Sequence, residues 1–233
     1  MNSPKSSVEL YDHAARIYQQ FREERHNYLR GVEAVIEQWA GKRGRYLDVG
    51  AGDGVRSLKI AKMVEASETM LLDNSAEMLK QIESTGAVET HVGDIASFGT
   101  DRVFDLVTSL WNVFGHIPTE QRGPSLERIR DLLAPDGVFI LDINNRYNVS
   151  HYGMRSVFKN VWQDMTGHSG RGNYTLNFDG VLSDVFIHNP WEMERAAKES
   201  GLKVVSKCYV HYQTGQPVRS CFRGQTVYCF RVN

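Results

Sequence analysis

A glycine-rich segment preceded by an acidic residue is the part of the sequence best suited to bind a ligand. It reads Asp48-Val49-Gly50-Ala51-Gly52-Asp53-Gly54 and lies between a short apolar run and a helical pattern. Glycines let a ligand approach the main chain, and the N-terminus of the following helix favours a negative group. Dinucleotide sites require G-x-G-x-x-G, and Val55 stands where the last glycine would be. The form D-x-G-x-G-x-G favours a ligand with an ammonium and a carboxylate over one with a pyrophosphate.

Two further carboxylates follow the next two predicted strands. Asp73 ends the second strand, and Gly93-Asp94-Ile95 follows the third. In open α/β sheets ligands bind over the carboxyl ends of the strands, where a carboxylate accepts hydrogen bonds from both hydroxyls of a ribose. Asp94 is suited to accept from the exocyclic amine of an adenine while Ile95 covers the ring. Each aspartate alone could be a helix cap or a turn residue, but their places at consecutive strand ends favour a ligand.

Alternating strand and helix patterns predict the frame that positions these residues. They imply an α/β fold with a doubly wound, Rossmann-like, seven-stranded and mostly parallel sheet. Asn74, with Glu77 three residues later, predicts a capping box at the start of a helix. A turn is predicted at Pro135-Asp136-Gly137, just before the fifth strand. The predicted strands are residues 46–49, 69–73, 88–92, 103–109, 138–143, 203–212 and 222–232, and helical patterns cover residues 8–25, 28–39, 119–133 and 190–201.

Five segments carry a resemblance to a known family, namely residues 46–54, 71–79, 93–95, 104–107 and 132–138. In this order they resemble the class I S-adenosylmethionine-dependent methyltransferases. The resemblance covers residues 40–145 strongly and 190–232 loosely. It implies S-adenosyl-L-methionine (SAM) as cofactor and S-adenosyl-L-homocysteine (SAH) as product. Asp53 departs from the family's pattern, which has a small hydroxyl residue after the second glycine.

The resemblance also assigns residues to parts of the cofactor. The methionine end would be lined by Asp48, Gly50, Ala51 and Gly52, the ribose by Asp73, and the adenine by Asp94 and Ile95; Leu110 and Trp111 would lie under the sulfonium, and Asn74 and Met78 would flank the adenosine. Tyr11 and Tyr18 lie in a segment similar to the lid helix of small-molecule members, where a tyrosine closes over the cofactor. The alternative is that both tyrosines pack on the core.

The regular alternation of strands and helices stops after Asn144. Residues 145–170 are polar and aromatic, and residues 173–187 alternate like a hairpin about Asp179-Gly180. We therefore expect an N-terminal helical lid at residues 1–42 and a methyltransferase core at residues 43–144 and 188–233. Residues 145–187 would form a late cap insertion that binds the acceptor.

The acceptor of the methyl group would lie above the ends of the fourth and fifth strands. A general base is needed only if the acceptor must lose a proton, as a hydroxyl or an ammonium must. His116 and Tyr147 are the catalytic candidates because they follow these strands and carry proton-accepting groups. The alternatives are that His116 caps the next helix, that Tyr147 is cap core, and that His188 bonds the main chain. The residues predicted to bind the acceptor are Tyr11, Asn112, Asn144, Arg146, Tyr152 and His188.

The composition of the chain argues against several classes of binding partner. The 233 residues carry 27 Lys and Arg against 28 Asp and Glu, a net charge of −1. No basic field is present to hold nucleic acid or an anionic membrane, and no apolar run is long enough to cross a membrane. Three cysteines fit neither an even disulfide framework nor a metal motif, and the first seven residues lack the apolar stretch of a secretory signal. We expect a soluble, cytoplasmic monomer or homodimer that acts on a small molecule and binds no metal.

Four functions compete for this sequence. A small-molecule N- or O-methyltransferase is favoured by the near-zero charge, the lid-like first helix and the late cap. A tRNA or rRNA methyltransferase is disfavoured because Leu110-Trp111-Asn112-Val113 stands where an N/D-P-P-F/Y signature would be. A non-catalytic, SAM-binding partner subunit is disfavoured because the acidic and glycine motifs are intact. An NAD-dependent oxidoreductase is disfavoured by Val55.

Overall fold

Helices and strands alternate along most of the chain. The structure, a computed structural model, describes residues 6–15, 18–82, 87–178 and 180–233. Its α-helices are α1 (Ser7–Ala14), α2 (Tyr18–Glu24), α3 (His26–Ala40), α4 (Val55–Met63), α5 (Ala76–Leu79), α6 (Thr119–Leu132), α7 (Val149–Thr166) and α8 (Pro190–Glu199). Its strands are β1 (Arg45–Val49), β2 (Glu68–Asp73), β3 (Val88–Val92), β4 (Phe104–Ser109), β5 (Leu133–Ile143), β6 (Asn173–Phe178), β7 (Val181–Phe186), β8 (Leu202–Val210), β9 (Pro217–Val218) and β10 (Gln225–Val232).

The main sheet has the strand order β3-β2-β1-β4-β5-β10-β8-β9. Strands β1 to β5 pair in parallel, and β10 pairs antiparallel with both β5 and β8. This arrangement confirms the predicted doubly wound, mostly parallel α/β fold. The chain turns back in the sheet between β1 and β4, and the carboxyl ends of parallel strands form a ligand crevice at such a switch point.

The sheet differs from the prediction in two details. It has eight strands among the described residues rather than seven, because the two-residue strand β9 pairs with Tyr209 and Val210 at the edge. The turn predicted at residues 135–137 is wrong, because β5 starts at Leu133 and runs through this segment as a bulge. Gly137 is required there because a Cβ would lie 2.8 Å from the carbonyl oxygen of Phe104.

Helix starts follow local capping chemistry. Ser6 and Glu9 form a capping box at the start of α1. The single helical pattern predicted for residues 8–25 is two helices, with residues 16 and 17 between them outside the described residues. The capping box predicted at Asn74 is wrong, because Ser75 is the N-cap of α5 and its hydroxyl accepts from the Met78 N–H at 3.2 Å.

Apolar side chains pack on both faces of the sheet. Neighbouring residues such as Tyr46 and Leu47 in β1 point to opposite faces and belong to two separate buried clusters. The cluster with Leu47 includes Met193 of α8, and the cluster with Tyr46 includes Ile36 of α3. Because both faces are covered, the open crevice lies at the ends of the strands.

Residues 145–187, predicted as the cap, form α7 and the separate β6–β7 hairpin. Gly153 interrupts α7 with a φ of +76°. Gly180 of the predicted turn has a φ of +82°, whereas Asp179 lies outside the described residues. Leu10 of α1 is buried against Leu176 and Val181 of the hairpin, so the first helix and the hairpin contact each other above the strand ends. The domain boundaries stay a prediction.

Candidate active site

A cavity of about 510 Å³ lies above the carboxyl ends of β1, β2 and β4, next to α1 and the β6–β7 hairpin. It is where the structure places most of the predicted cofactor residues, together with two predicted acceptor-side residues. From the predicted set, the lining includes Tyr11, Tyr18, Gly50, Gly52, Asp73, Asn74, Met78, Asp94, Ile95, Leu110, Trp111 and His116. Residues far apart in sequence therefore line one cavity.

The glycine loop is shaped by its main chain. The N–H groups of Gly50 and Ala51 donate to the Leu72 carbonyl at 2.8 and 3.1 Å, which ties the loop to β2. Gly50 and Gly52 have φ values of +76° and +59°, a region that side chains disfavour. A Cβ at Gly52 would lie 3.1 Å from Cε of Met78 and 3.7 Å from the hydroxyl of Tyr18. The missing side chain therefore keeps the cavity open between the loop and the lid.

Asp48 lies beneath the loop and does not line the cavity. Its carboxylate is fully buried and accepts from the hydroxyls of Ser57 and Thr108, both at 2.5 Å. Burial raises the pKa of Asp48, and the positive charge of Arg56 opposes that shift. Asp48 therefore fixes the end of β1 against α4 and β4, and direct contact with a ligand is not expected from this position. Ala51 also lies outside the lining.

Asp73 faces the cavity and also orders the loops beside it. Its carboxylate accepts from the Gly52 N–H at 2.7 Å and from the Ser75 N–H at 2.9 Å. Burial raises the pKa of Asp73, while these two main-chain hydrogen bonds lower it. Asp94 lines the cavity as well, and its Oδ1 accepts from the Ala96 N–H at 2.8 Å. Each carboxylate therefore acts as a turn or cap residue, and both residues line the cavity.

The two N-terminal helices are fastened over the cavity by polar contacts. The Ser75 hydroxyl donates to Asp12 at 2.5 Å, and the Gln81 amide donates to the Ala15 carbonyl at 2.9 Å. Arg22 of α2 pairs with Asp53 in the glycine loop. Asp53, the residue that departs from the family's pattern, is therefore the site at which the second helix attaches.

Tyr11 and His116 contact each other at the cavity wall. The Tyr11 hydroxyl lies 3.0 Å from Nε2 of His116, and the rings meet edge to face with centroids 5.3 Å apart. Burial lowers the pKa of His116 to about 4, and burial with the nearby charge of Asp73 raises the pKa of Tyr11. Nδ1 of His116 has no hydrogen-bond partner among the described residues. Both side chains are therefore neutral near pH 7.

The loop after β4 has a strained backbone. Trp111 and Asn112 have φ values of +66° and +60°, which is uncommon for residues other than glycine. The buried carboxylate of Asp142 holds this conformation by accepting from the Asn112 N–H at 3.0 Å. The Asn112 amide bonds the Phe186 carbonyl and the Asn144 N–H, at 3.3 and 2.9 Å. Asn112 therefore joins three loops behind the cavity and lies outside its lining.

Arg146 and Tyr147, predicted near the acceptor, turn away from the cavity into the cap. Arg146 is fully buried and pairs with Asp164 and Glu192, each at 2.8 Å. The Tyr147 hydroxyl donates to Asp164. These bonds hold α7 against α8, so we place both residues in the support of the cap and not at the reacting atoms.

The other predicted acceptor residues outside the lining are Asn144, Tyr152 and His188. Asn144 bonds through its main chain to Asn112 and His188. The Tyr152 ring stacks on Tyr174 with centroids 6.4 Å apart. His188 is buried, and burial lowers its pKa well below the ordinary value, with a further contribution from the charge of Arg122. Asn144 and His188 bond each other where β5 leads into the cap, the Tyr152–Tyr174 contact lies within the cap, and none of the three residues lines the cavity.

Sequence reasoning missed the wall that the hairpin and the start of α6 supply. This wall comprises Gln121, Arg122, Asn173, Ser183, Asp184, Val185 and Phe186. The alternation of residues 173–187 predicted a hairpin, but nothing local shows which of its faces meets the cavity. Arg122 lies three residues after the start of α6, and in the sequence only its charge distinguishes it from the other residues of that helix.

Among the residues that the structure describes, no group of three or more His, Cys, Asp and Glu is placed to hold a metal ion. The same residues contain no helix that is both long enough and apolar enough to cross a membrane.

Comparison with known proteins gives this cavity its context. Residues 47–137 match the family described as "Methyltransferase domain". Trans-aconitate 2-methyltransferase of Rhodopseudomonas palustris (strain BisA53) is 27% identical over 182 residues, which cover 75% of this chain and 68% of that protein. These matches support the class I S-adenosylmethionine-dependent methyltransferase family, the one that the motifs of the sequence resemble.

Two further comparisons agree with this family. The dTDP-3-amino-3,6-dideoxy-alpha-D-glucopyranose N,N-dimethyltransferase of Streptomyces fradiae is 26% identical over 136 residues, covering 58% of this chain and about half (52%) of that protein. The solved DhpI–SAH complex has a TM-score of 0.69 at 16% identity and covers 97% of this chain and 95% of that one, which shows a common fold. The cofactor of this methyltransferase is SAM.

The cavity of this methyltransferase is compatible with its cofactor. Gly52 leaves the cavity open where a Cβ would contact Met78 and the lid. Asp73 and Asp94 line the cavity at the ends of consecutive strands, a placement compatible with a ribose and an adenine. Leu110 and Trp111 supply apolar wall next to the loop.

Proposed function

We propose that this methyltransferase transfers a methyl group from SAM to a nitrogen or oxygen of a small-molecule acceptor. The observation that carries the proposal is the shared cavity, in which the glycine-loop and strand-end residues lie in the same space as the hairpin and His116. Its volume of about 510 Å³ is within the range of small-molecule sites. α1 and the hairpin both contribute to its wall, which supports a small acceptor.

Residues of the cavity divide between cofactor and acceptor in this proposal. Asp73 accepts from the ribose hydroxyls, and Asp94 with Ile95 holds the adenine, flanked by Asn74 and Met78. Gly50, Gly52 and Tyr18 enclose the methionine end, and Leu110 and Trp111 lie beneath the sulfonium. The cofactor supplies an electrophilic methyl group. The protein aligns the acceptor atom with that methyl group and excludes water.

The neutral pair Tyr11–His116 is the proposed route for a proton. A hydroxyl acceptor gives its proton to the Tyr11 oxygen while the Tyr11 proton passes to Nε2 of His116. The low pKa of His116, about 4, keeps the imidazole free to accept a proton but makes it a weak base. An amine that enters without its extra proton needs no base in the transfer step.

The names of the two curated relatives support small acceptors, since one names an organic acid and the other an amino sugar nucleotide. The test is SAH release from SAM over a panel of small amines, alcohols and acids, with total tRNA as a separate acceptor. We expect turnover with a small molecule and none with tRNA. Turnover on tRNA that falls steeply with salt would instead identify an RNA methyltransferase. SAM binding without turnover on either substrate would favour a non-catalytic partner.

A further inference from the structure

Arg122 has the least compensated charge in the cavity wall. It lies in the first turns of α6, three residues after Thr119, and is half-buried. Its Nε donates to the Ile117 carbonyl at 3.0 Å, and its guanidinium carbon lies 3.9 Å from the ring centroid of Phe186. These two contacts fix the plane of the guanidinium. The two terminal nitrogens have no hydrogen-bond partner in the described part of the chain. They are not fully buried, so a ligand can reach them.

A neighbouring buried arginine, Arg146, has its positive charge neutralised by two carboxylates. Arg146 approaches the same Phe186 ring, with its guanidinium carbon 5.5 Å from the centroid. Asp164 and Glu192 neutralise Arg146 through two ion pairs. Arg122 makes no ion pair with the described residues, and exposed Glu120 acts on it only through space. A half-buried charge without a partner is costly, so a negative group from outside the chain would stabilise it.

The charges of the wall indicate where such a group would go. Arg122 is the only Lys or Arg among the described residues that line the cavity. Asp73 and Asp94 also line the cavity and are engaged by the cofactor in the proposed function. Asp184 is exposed on the hairpin, where the Thr175 hydroxyl donates to it at 3.3 Å. No other cation in the described wall competes for an anionic ligand.

We propose that Arg122 binds a carboxylate of the acceptor, so that the substrate class is small organic acids or amino acids. This inference rests on the proposed function, because it concerns the acceptor half of the same cavity. Since Nε is occupied, the two terminal nitrogens meet the carboxylate end-on in a bidentate pair. A single guanidinium suits a carboxylate better than a phosphate dianion, which would need more donors. Burial lowers the pKa of Arg122 to about 10, which leaves it cationic near pH 7.

The test separates charge recognition from methyl transfer. SAH-loaded protein is titrated with paired probes in which each short aliphatic or aromatic carboxylate has its carboxamide analogue, beginning with benzoate and benzamide. We expect carboxylates to bind at least tenfold more tightly than their amides. Arg122→Gln should remove that preference, and Arg122→Lys should retain part of it. SAH affinity should stay within twofold in both variants, because Arg122 lies on the acceptor side.

Arg102→Gln is the matched control, since Arg102 is an exposed arginine paired with Glu89 outside the cavity. It should keep the carboxylate preference. Equal binding of acids and amides by the parent protein, binding of neither, or an unchanged preference in Arg122→Gln would overturn the proposal. Tighter binding of phenyl phosphate than of benzoate would also overturn it. Turnover on neutral amines would refute this inference and leave the proposed function standing, whereas exclusive turnover on tRNA would refute the proposed function itself.

Discussion

Tyr11 and His116 are joined by a hydrogen bond of 3.0 Å between the phenol oxygen and Nε2 of the imidazole. This bond links the first helix of the chain to the loop after β4, so α1 is tied to the wall of the cavity. A neutral histidine either accepts from the phenol at Nε2 or donates from it, depending on the tautomer. Only the first tautomer allows the pair to take a proton from the acceptor through Tyr11.

The proton relay predicts that His116→Ala and Tyr11→Phe slow the same step. Each should lower kcat, and His116→Ala by about 10²- to 10⁴-fold, the usual size of general-base assistance. The double variant should be no slower than the slower single variant, and SAH affinity should hardly change in His116→Ala. The measurement is SAH release with a hydroxyl acceptor. Strictly additive losses would show that the two residues act independently.

The pH–rate profile distinguishes the relay from a role in shaping the pocket. Because the pKa of His116 is about 4, the parent enzyme should lose activity only as the pH falls toward that value. His116→Ala should lack this acidic limb. If His116 only shapes the pocket, the variant would raise the KM of the acceptor and keep the limb.

Buried histidines predict that mild acid destabilises the fold. The pKa of His116 falls from 6.5 to about 4 on burial, so between these values the unfolded chain binds more protons than the folded chain. The contribution is complete above pH 6.5 and is lost as the pH falls toward 4. His188, with a pKa lowered well below 6.5, acts in the same direction. Urea unfolding at pH 7.5 and 5 should show a smaller difference for His116→Gln than for the parent, and an equal difference would contradict the assignment.

The fold and the gathering of strand-end residues around one cavity could be predicted from the sequence because their signals are local. Gly50, Gly52, Asp73 and Asp94 follow predicted strands, and parallel strands bring their carboxyl ends to one edge. The departure at Asp53 was visible too, but its pairing with Arg22 depends on how the second helix docks.

The acceptor half could not be predicted because it depends on side-chain direction. Arg146 and Tyr147 follow a strand as Asp94 does, yet both turn into the cap, where each bonds to the Asp164 carboxylate. Arg122 lies inside an ordinary helical pattern, and it reaches the cavity only because Phe186 and the Ile117 carbonyl hold it there. The spacing of residues in the sequence does not indicate the direction of any of these side chains.

Asp73→Ala should weaken SAH binding. It removes hydrogen bonds to a charged group, which are worth about 1.5–3 kcal/mol, and it also leaves the Gly52 and Ser75 N–H groups without their acceptor. Calorimetric titration with SAH measures the loss. Asp101→Ala, at an exposed aspartate outside the cavity, is the control and should bind like the parent. Parent-like affinity in Asp73→Ala would refute the proposed ribose contact.

Gly52→Val should abolish SAH binding. A β-branched side chain would be strained at a φ of +59°, and its Cβ would lie 3.1 Å from Cε of Met78. The backbone strain costs about 1–2 kcal/mol, so the variant should fold with reduced stability. Gly99→Val is the control, because Gly99 is exposed with no atom near its would-be Cβ. A Gly52→Val protein that keeps both a cooperative thermal transition and normal SAH affinity would show that the glycine loop does not contact the cofactor.

The pairing of Arg22 with Asp53 predicts that the second helix slows the escape of the cofactor. Asp53→Asn keeps the size of the side chain and an acceptor for the Val55 N–H, but loses the charge that holds Arg22. A partly exposed ion pair is worth about 1 kcal/mol, roughly a fivefold change in Kd. The change should appear in the dissociation rate of SAH, measured by stopped flow, and should shrink at high salt.

The control for this lid contact is Asp105→Asn, which weakens the comparable pair between Asp105 and Arg45 at the far end of β1. That variant should leave SAH dissociation unchanged, because both residues lie outside the cavity lining. If Asp53→Asn releases SAH at the parent rate, Asp53 serves only the loop, and the lid must be held by Tyr11 and by the bond between Asp12 and Ser75. In that case Ser75→Ala, which removes the hydroxyl that donates to Asp12, should accelerate dissociation where Asp53→Asn does not.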